Sequence, residues 1–389
     1  MRSAFWPLIS LILLGFLLTG CDDSTSLSTE NGGRLSVAET LGGDEQSGFA
    51  RALEPREFVF PQDHGPHPEF KTEWWYYTGN LQDESGRRFG YQLTFFRNAL
   101  QPDPVERESA WASQQIYLAH FALTDPANKK FYYFERFSRS ALELAGATAD
   151  PFYVWLEDWS ASSSGPDSLP MQLRAKAGEV MITLELDSLK PAVLQGVNGL
   201  SQKSAEPGNA SYYYSMTRLP TLGEIHIAGE RFVVSGTSWL DREWSTSALG
   251  KNQVGWDWFS LQFDDGRELM YYQLRLDDGQ PDPLSSGVLV AIDGSSTRLK
   301  PDDLNLAVLK QWVSPHSDGE YPARWRMEIP THQLDLEITP LLADQELQTS
   351  IRYWEGAVSV RGKAGKKSVS GYGYVELTGY QQARSKSKP

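Results

Sequence analysis

Apolar residues recur along this chain with a period of two. Phe89, Tyr91, Leu93 and Phe95 alternate with Gly90, Gln92 and Thr94; Ile182, Leu184 and Leu186 alternate with Met181, Thr183 and Glu185; Ile225 and Ile227 flank His226. Successive side chains of an extended chain point to opposite faces, so this spacing predicts half-buried strands. Glu84-Ser85-Gly86 and Asp264-Asp265-Gly266 are turn signals between such runs. No long stretch carries the period of an amphipathic helix. Short strands with regular turns predict an all-β sandwich or barrel.

The pattern also repeats. Trp75 to Phe95 and Trp256 to Leu276 both read as strand, glycine turn, strand, with aromatics at the start. Leu81-Gln82 matches Leu261-Gln262, Gly86-Arg87 matches Gly266-Arg267, and Tyr91-Gln92-Leu93 matches Tyr272-Gln273-Leu274 after a one-residue shift. A second pair closes each unit: Val234 to Asp241 lines up with Val369 to Glu376. Chance hairpin similarity accounts for the first pair alone; both pairs in the same order point to duplication. Two related β units are therefore expected, over 56–246 and 247–382. The first is longer and carries insertions such as Ser160 to Pro170. A closed barrel of about eight to ten strands encloses room for one small apolar ligand.

The N-terminus has a different pattern. Met1-Arg2 is followed by an apolar run from Leu8 to Leu18, broken by Ser10 and Gly15. Spanning a bilayer takes roughly 20 apolar residues, and this run is shorter. Its length and charge order predict a signal peptide over residues 1–20. Leu18-Thr19-Gly20-Cys21 resembles a bacterial lipobox, in which the cysteine is acylated, and Cys21 is the chain's single cysteine. The alternative is an ordinary signal peptide with a chance cysteine. Residues 21–55 read as a flexible tether, rich in Ser, Thr, Gly and acids from Asp22 to about Ala50. Such a tether reaches roughly 30 Å on average. The expected location is the periplasmic side of a bacterial envelope, lipid-anchored, with Asp22 resembling an inner-membrane retention signal. Residues 383–389 form a basic tail.

A formal net charge of −14 argues against nucleic acid or an anionic lipid face as a partner. With 13 Trp and 17 Tyr, aromatic rings can fill cores, line an apolar pocket, or both. The chain lacks a G-x-S-x-G elbow, a phosphate loop, G-x-G-x-x-G and H-E-x-x-H, so neither cofactor nor metal is expected. His64-Gly65-Pro66-His67 cannot form a metal-binding helix, because Gly65, Pro66 and Pro68 break it. A loop across a barrel mouth is the expected role.

Three aromatic clusters carry candidate chemistry. In the first, Glu73, Trp75 and Tyr77 share one strand face and Trp74 and Tyr76 the other. The second is Tyr212-Tyr213-Tyr214. In the third, Trp239, Asp241 and Glu243 share a face beside Trp244. A carboxyl between aromatics on an inward face is desolvated and holds its proton at neutral pH. Such an acid can protonate an alkene or a leaving group, while ring faces stabilise the developing cation. The competing reading is an ion pair of Asp241 or Glu243 with Arg242, Arg218 or Arg97. Glu376, at the repeat position of Asp241, leans toward a fold role for both. His120, between Ala119 and Phe121, is either a core histidine or part of the site.

These clusters resemble a known family. Glu73 to Leu81, His120 to Asp125, Asn209 to Ser215, Ser238 to Trp244 and Gly255 to Phe259 are similar to motifs of the AttH-like branch of the hydroxyneurosporene synthase family, in order, over about Pro55 to Tyr380. The resemblance implies a tandem pair of lipocalin-like antiparallel barrels. It also implies cofactor-free addition of water to an isoprenoid double bond, as in the carotenoid 1,2-hydratase branch, with Asp241 in the proton donor's place. Trp239 stands where that branch has tyrosine. The AttH-like branch is also labelled a predicted secreted hydrolase, and its members are encoded beside ABC-type transporter components.

Three functions follow as expectations. The first is binding of an apolar lipid or isoprenoid by Glu73, Trp74, Trp75, Tyr76, His120, Tyr212, Tyr213, Tyr214, Trp244, Trp256 and Trp258. The second is an enzyme in the same cavity, with Asp241 as general acid and Trp239 and Glu243 beside it. The third is a non-enzymatic accessory of a membrane transporter.

Overall fold

In the computed structural model, residues 47–102, 113–247, 249–317 and 319–380 are described. The signal peptide, Cys21, most of the tether and the basic tail lie outside them.

The described residues contain strands and short 3-10 turns, with no α-helix. The first sheet holds β1 (Thr72–Asp83), β2 (Arg88–Ala99), β3 (Gln115–Asp125), β4 (Lys130–Arg139), β5 (Ala145–Thr148), β6 (Tyr153–Leu156), β7 (Trp159–Ser162), β8 (Met171–Ala177), β9 (Val180–Leu186), β10 (Val193–Leu194), β11 (Leu200–Gln202), β12 (Ala210–Ile227) and β13 (Glu230–Ser245). The second holds β14 (Gln253–Phe263), β15 (Glu268–Leu276), β16 (Ser286–Val290), β17 (Ser296–Leu299), β18 (Asn305–Val313), β19 (Glu320–Ile329), β20 (Leu334–Pro340), β21 (Glu346–Gln348), β22 (Arg352–Ala364) and β23 (Lys367–Leu377).

All pairings are antiparallel. The first ladder runs β4-β3-β2-β1-β13-β12-β9-β8-β7-β6-β5, and the second runs β17-β16-β15-β14-β23-β22-β20-β19-β18. The first curls until β6 packs back against β2, β3 and β4, giving a nearly closed barrel. Side chains bridge the remaining gap: Phe121 meets Trp159 edge-on, and Arg136 lies 4.5 Å from the centroid of Trp159. The second sheet curls into a half-barrel. The expectation of an all-β chain with two tandem lipocalin-like antiparallel barrels is thus borne out, the first barrel nearly closed and the second a half-barrel.

The repeat is visible in the topology. β1 sits between β2 and β13, and β14 sits between β15 and β23. Leu81 lies opposite Gly236, whereas Leu261 lies opposite Gly373, two residues beyond the matched Gly371. A shift of two preserves the face that each side chain occupies. Asp241 and Glu376 therefore keep equivalent orientations despite the slip.

Strand patterns report what covers each face. In β8, Met171, Leu173 and Ala175 are buried while Gln172, Arg174 and Lys176 are exposed, as in a one-sided sheet. β1 is buried on both faces over most of its length, because one face lines the barrel and the other meets the second sheet. Both interiors are packed with side chains. Trp75, Phe89, Phe121, Trp159 and Trp244 help fill the first, and Phe259, Trp325 and Trp354 the second. A third apolar cluster, with Tyr76, Tyr213, Trp239, Trp258 and Tyr272, lies between the sheets. This corrects one expectation: the aromatic cavity lies between the two sheets and outside both barrels.

Candidate active site

Alternation along two paired strands sorts the predicted residues into two groups. In β13, Trp239, Asp241 and Glu243 face the second sheet, while Leu240, Arg242 and Trp244 face the first barrel's interior. In β1, Trp74 and Tyr76 face the second sheet, while Glu73, Trp75 and Tyr77 face inward. The register places Asp241 between Tyr76 and Ser215, and Glu243 between Trp74 and Tyr213. The outward group forms one wall of a cleft. Trp256 and Trp258 of β14, Tyr272 of β15, Tyr353 of β22 and Glu376 of β23 form the other. The cleft is partly open to solvent, and the space of about 800 Å³ between its atoms includes that open part.

Asp241 is the most constrained acid in this cleft, with only 3% of its surface exposed. Three donors converge on it: Tyr213 Oη at 2.5 Å, Ser215 Oγ at 2.5 Å and Trp239 Nε1 at 2.6 Å. Two of these hydroxyls have their direction set from behind. Gln195 Nε2 donates to Ser215 Oγ at 2.8 Å, and Trp258 Nε1 donates to Tyr213 Oη at 3.2 Å. Among the described residues no ion pair is made by Asp241, so the expected pairing with Arg242, Arg218 or Arg97 is corrected. Arg242 points to the opposite face and binds Glu73, as the period of a strand demands. Burial dominates the acidity of Asp241 and lifts it to about 7, against the three donors; neighbouring Glu243 pushes the same way.

The other charged groups in the cleft differ in partnering. Glu243 pairs with Lys203 at 2.9 Å and accepts from Ser211. Burial alone pulls the Lys203 ammonium down, but Glu243, Tyr272 and Asp241 hold it above the ordinary lysine range. Glu376 accepts from Trp256 Nε1 at 2.6 Å, and burial raises it to about 8. Opposite Glu376 on β22 lies Glu355. Glu355 accepts the Tyr76 hydroxyl through one oxygen, while its other oxygen has no hydrogen-bond partner. Burial, then Glu376, holds Glu355 well above the carboxylate range.

Trp74, Tyr76, Tyr213, Trp239, Asp241, Glu243, Trp256 and Trp258 thus meet at the cleft, Trp239 through its bond to Asp241. The remaining predicted ligand residues do not. Glu73, Trp75, Tyr212, Tyr214 and Trp244 turn into the first barrel. There Glu73 is fully buried between Arg97 and Arg242, whose charges hold its carboxyl well below the usual range in spite of burial. His67 stacks on Trp244 at 3.7 Å, and His64 Nδ1 lies 2.6 Å from Tyr214 Oη. The His64–His67 loop is therefore buried against the barrel's contents, as expected of a loop across its mouth. His120 is also withdrawn from the cleft. It lies behind Tyr353, with Nδ1 2.7 Å from the Tyr353 hydroxyl and Nε2 3.1 Å from Glu135.

Sequence reasoning missed Lys203, Glu355, Tyr272 and Tyr353. Tyr272 and Glu376 had a signal in the repeat; Lys203, in a connecting segment, had none.

The profile of the AttH-like family matches residues 51–380. The chain belongs to the AttH-like family. Among solved structures, an AttH protein of Nitrosomonas europaea is 36% identical, with a TM-score of 0.76, over 85% of this chain and 100% of that one. A curated relative, kievitone hydratase of Fusarium solani subsp. phaseoli, is 22% identical over 215 residues, 53% of this chain. The match spans only 59% of that relative's length. Kievitone hydratase of Nectria haematococca has a TM-score of 0.63 at 16% identity, over 83% of this chain and 93% of that one. At that identity the likeness shows a shared fold. In this AttH-like chain, the cleft holds a buried acid between aromatic walls.

Proposed function

We propose that this AttH-like protein binds an apolar ligand in the cleft between its sheets and adds water to, or removes it from, a carbon–carbon double bond. The observation that carries this reading is Asp241, a buried cleft carboxyl with three hydrogen-bond donors and, among the described residues, no ion pair. A carboxyl held near neutrality can give and take a proton at physiological pH. In the hydration direction, Asp241 protonates one alkene carbon and the positive charge appears on its neighbour. The rings of Trp258, Tyr76 and Trp256 line the same cleft, and ring faces stabilise such a charge. Water adds to the cation, and the resulting oxonium returns its proton to the Asp241 carboxylate, leaving the protein unchanged. No redox step is involved. The resemblance of Leu18 to Cys21 to a lipobox supports tethering to the envelope, where apolar ligands partition.

Native mass spectrometry of protein purified from membranes tests this. Wild-type protein is expected to release a hydrated ligand, and Asp241→Asn to retain its alkene form, one water lighter. With the ligand in hand, the substitution should slow turnover by roughly a hundredfold to ten-thousandfold. Identical ligand masses from the two proteins would sink the catalytic reading. Repeated preparations without ligand would count against binding as well.

A further inference from the structure

We infer that the cleft is a seat for an organic monocation, a tertiary or quaternary ammonium on an apolar body, held between Asp241 and Glu376. The inference rests on the proposed function, since such a cation resembles the charge formed when an alkene is protonated.

The argument begins with a charge inventory. The charged side chains lining the cleft are Lys203, Asp241, Glu243 and Glu376, with Glu355 behind Tyr76. The one cation among them, Lys203, is committed to Glu243 at 2.9 Å. The remaining three carboxyls make no ion pair among the described residues. Arg242 is the cation adjacent in sequence, but it faces away and is taken by Glu73. The tyrosines around the two acids, Tyr76, Tyr213, Tyr272, Tyr353 and Tyr374, supply no positive charge. His120 is screened from the cleft by Tyr353.

Lys203 shows what this chemistry accepts. Its ammonium lies 4.4 Å from the centroid of Tyr272 and 5.4 Å from that of Tyr213, with the Glu243 carboxylate completing the seat. Aromatic faces plus a carboxylate are the standard recognition elements for ammonium groups. The space next to it has the same composition: Trp256 and Trp258 as walls, with Asp241 from one sheet and Glu376 from the other. It differs in that neither acid is ion-paired: Lys203 is held by Glu243 and meets Asp241 only through the attraction of their charges. Duplication supplied the two acids at equivalent strand positions, and the packing of the sheets brought them to one cleft.

An entering cation pairs with ionised carboxylates. Burial holds Asp241 and Glu376 partly protonated near neutrality, so binding must expel protons, and affinity must rise with pH. A neutral ligand of the same shape expels none.

Tryptophan fluorescence of the full-length protein tests this, because Trp74, Trp256 and Trp258 line the cleft. The probes are benzyltrimethylammonium and neopentylbenzene, which replaces the nitrogen by carbon. The ammonium should bind more tightly by about tenfold or more from about pH 6 to about pH 8, and the hydrocarbon equally at both. Asp241→Asn and Glu376→Gln should each flatten that pH dependence. Glu376→Gln, on the second sheet, keeps the test informative if the other variant does not fold. Ammonium binding independent of pH, or no stronger than the hydrocarbon's at about pH 8, would overturn the inference. Binding of the hydrocarbon alone would overturn it and leave the apolar-cleft reading standing. Binding of neither would count against both.

Discussion

At the scale of single residues, the function of Asp241 is set by a contest between desolvation and hydrogen bonding. Removing its shell of water favours the neutral acid, and the donors from Tyr213, Ser215 and Trp239 favour the anion. The donors lose that contest, but they limit the shift. Deleting one should therefore move the carboxyl further from its ordinary value. Tyr213→Phe is expected to raise the Asp241 midpoint by about one to two units, since a hydrogen bond to a charged group contributes about 1.5–3 kcal/mol. Carboxyl carbon shifts in an NMR titration would read it. An unchanged or lowered midpoint would show that Tyr213 does not stabilise the anion. Glu73 is the opposite case. Its two arginines win against burial, so a carboxyl in the neighbouring strand register stays ionised.

At the scale of elements, β1 and β13 are two-sided devices. Each puts cleft-lining side chains on one face and a structural ion on the other. The inward network of Glu73, Arg97, Arg242 and His67 holds the backbone at Gly65, His67 and Phe70 against the barrel's contents. Removing Glu73 would leave two buried guanidinium groups without a counter-charge. Glu73→Ala should cost about 3–5 kcal/mol of stability by chemical denaturation. A loss near zero would mean that solvent reaches this network. The glycine of β13 has an equally local cause: a Cβ at Gly236 would lie 2.2 Å from the carbonyl oxygen of Asn80 on β1. The sheet can close up there only without a side chain.

At the scale of the whole molecule, the cleft exists because two curled sheets meet on their outer faces. Polar ties surround it: Gln262 Nε2 donates to the carbonyls of Thr217 and Ser238, Asn80 Nδ2 donates to that of Gly373, and Lys190 pairs with Glu268. Burying three acids there makes stability depend on pH. Asp241, Glu376 and Glu355 are all raised in the folded state, so the unfolded chain ionises first as pH increases. Their contribution is therefore most favourable below about pH 4 and is lost as pH rises toward 7 and 8. The lowered Glu73 and Asp63 act in the opposite sense, and their stabilisation disappears in acid. A stability maximum on the acid side of neutrality is expected. Denaturation midpoints at several pH values should decline from mildly acidic to mildly alkaline solution, and the decline should shrink in Glu376→Gln. A flat profile would place these acids in water.

The sequence by itself determined the local facts. Period-two alternation made the strands and assigned Asp241, Glu243 and Trp239 to one face. The paired motifs announced the duplication, and with it the equivalence of Asp241 and Glu376. The same alternation placed Glu73 and Trp75 opposite Trp74 and Tyr76, but it did not say which face was the cleft. Only the tertiary structure decided that. A strand's period distinguishes its two faces without stating what covers either one, and here both are covered. That is why Tyr212, Tyr214 and Trp244, rich in rings like their neighbours, turned out to fill a barrel. Partners distant in sequence are set by tertiary folding, which no local pattern encodes: Lys203 reaches Glu243 through the way the β11–β12 connection lies against β13, and Glu355 reaches Tyr76 through the docking of the second sheet.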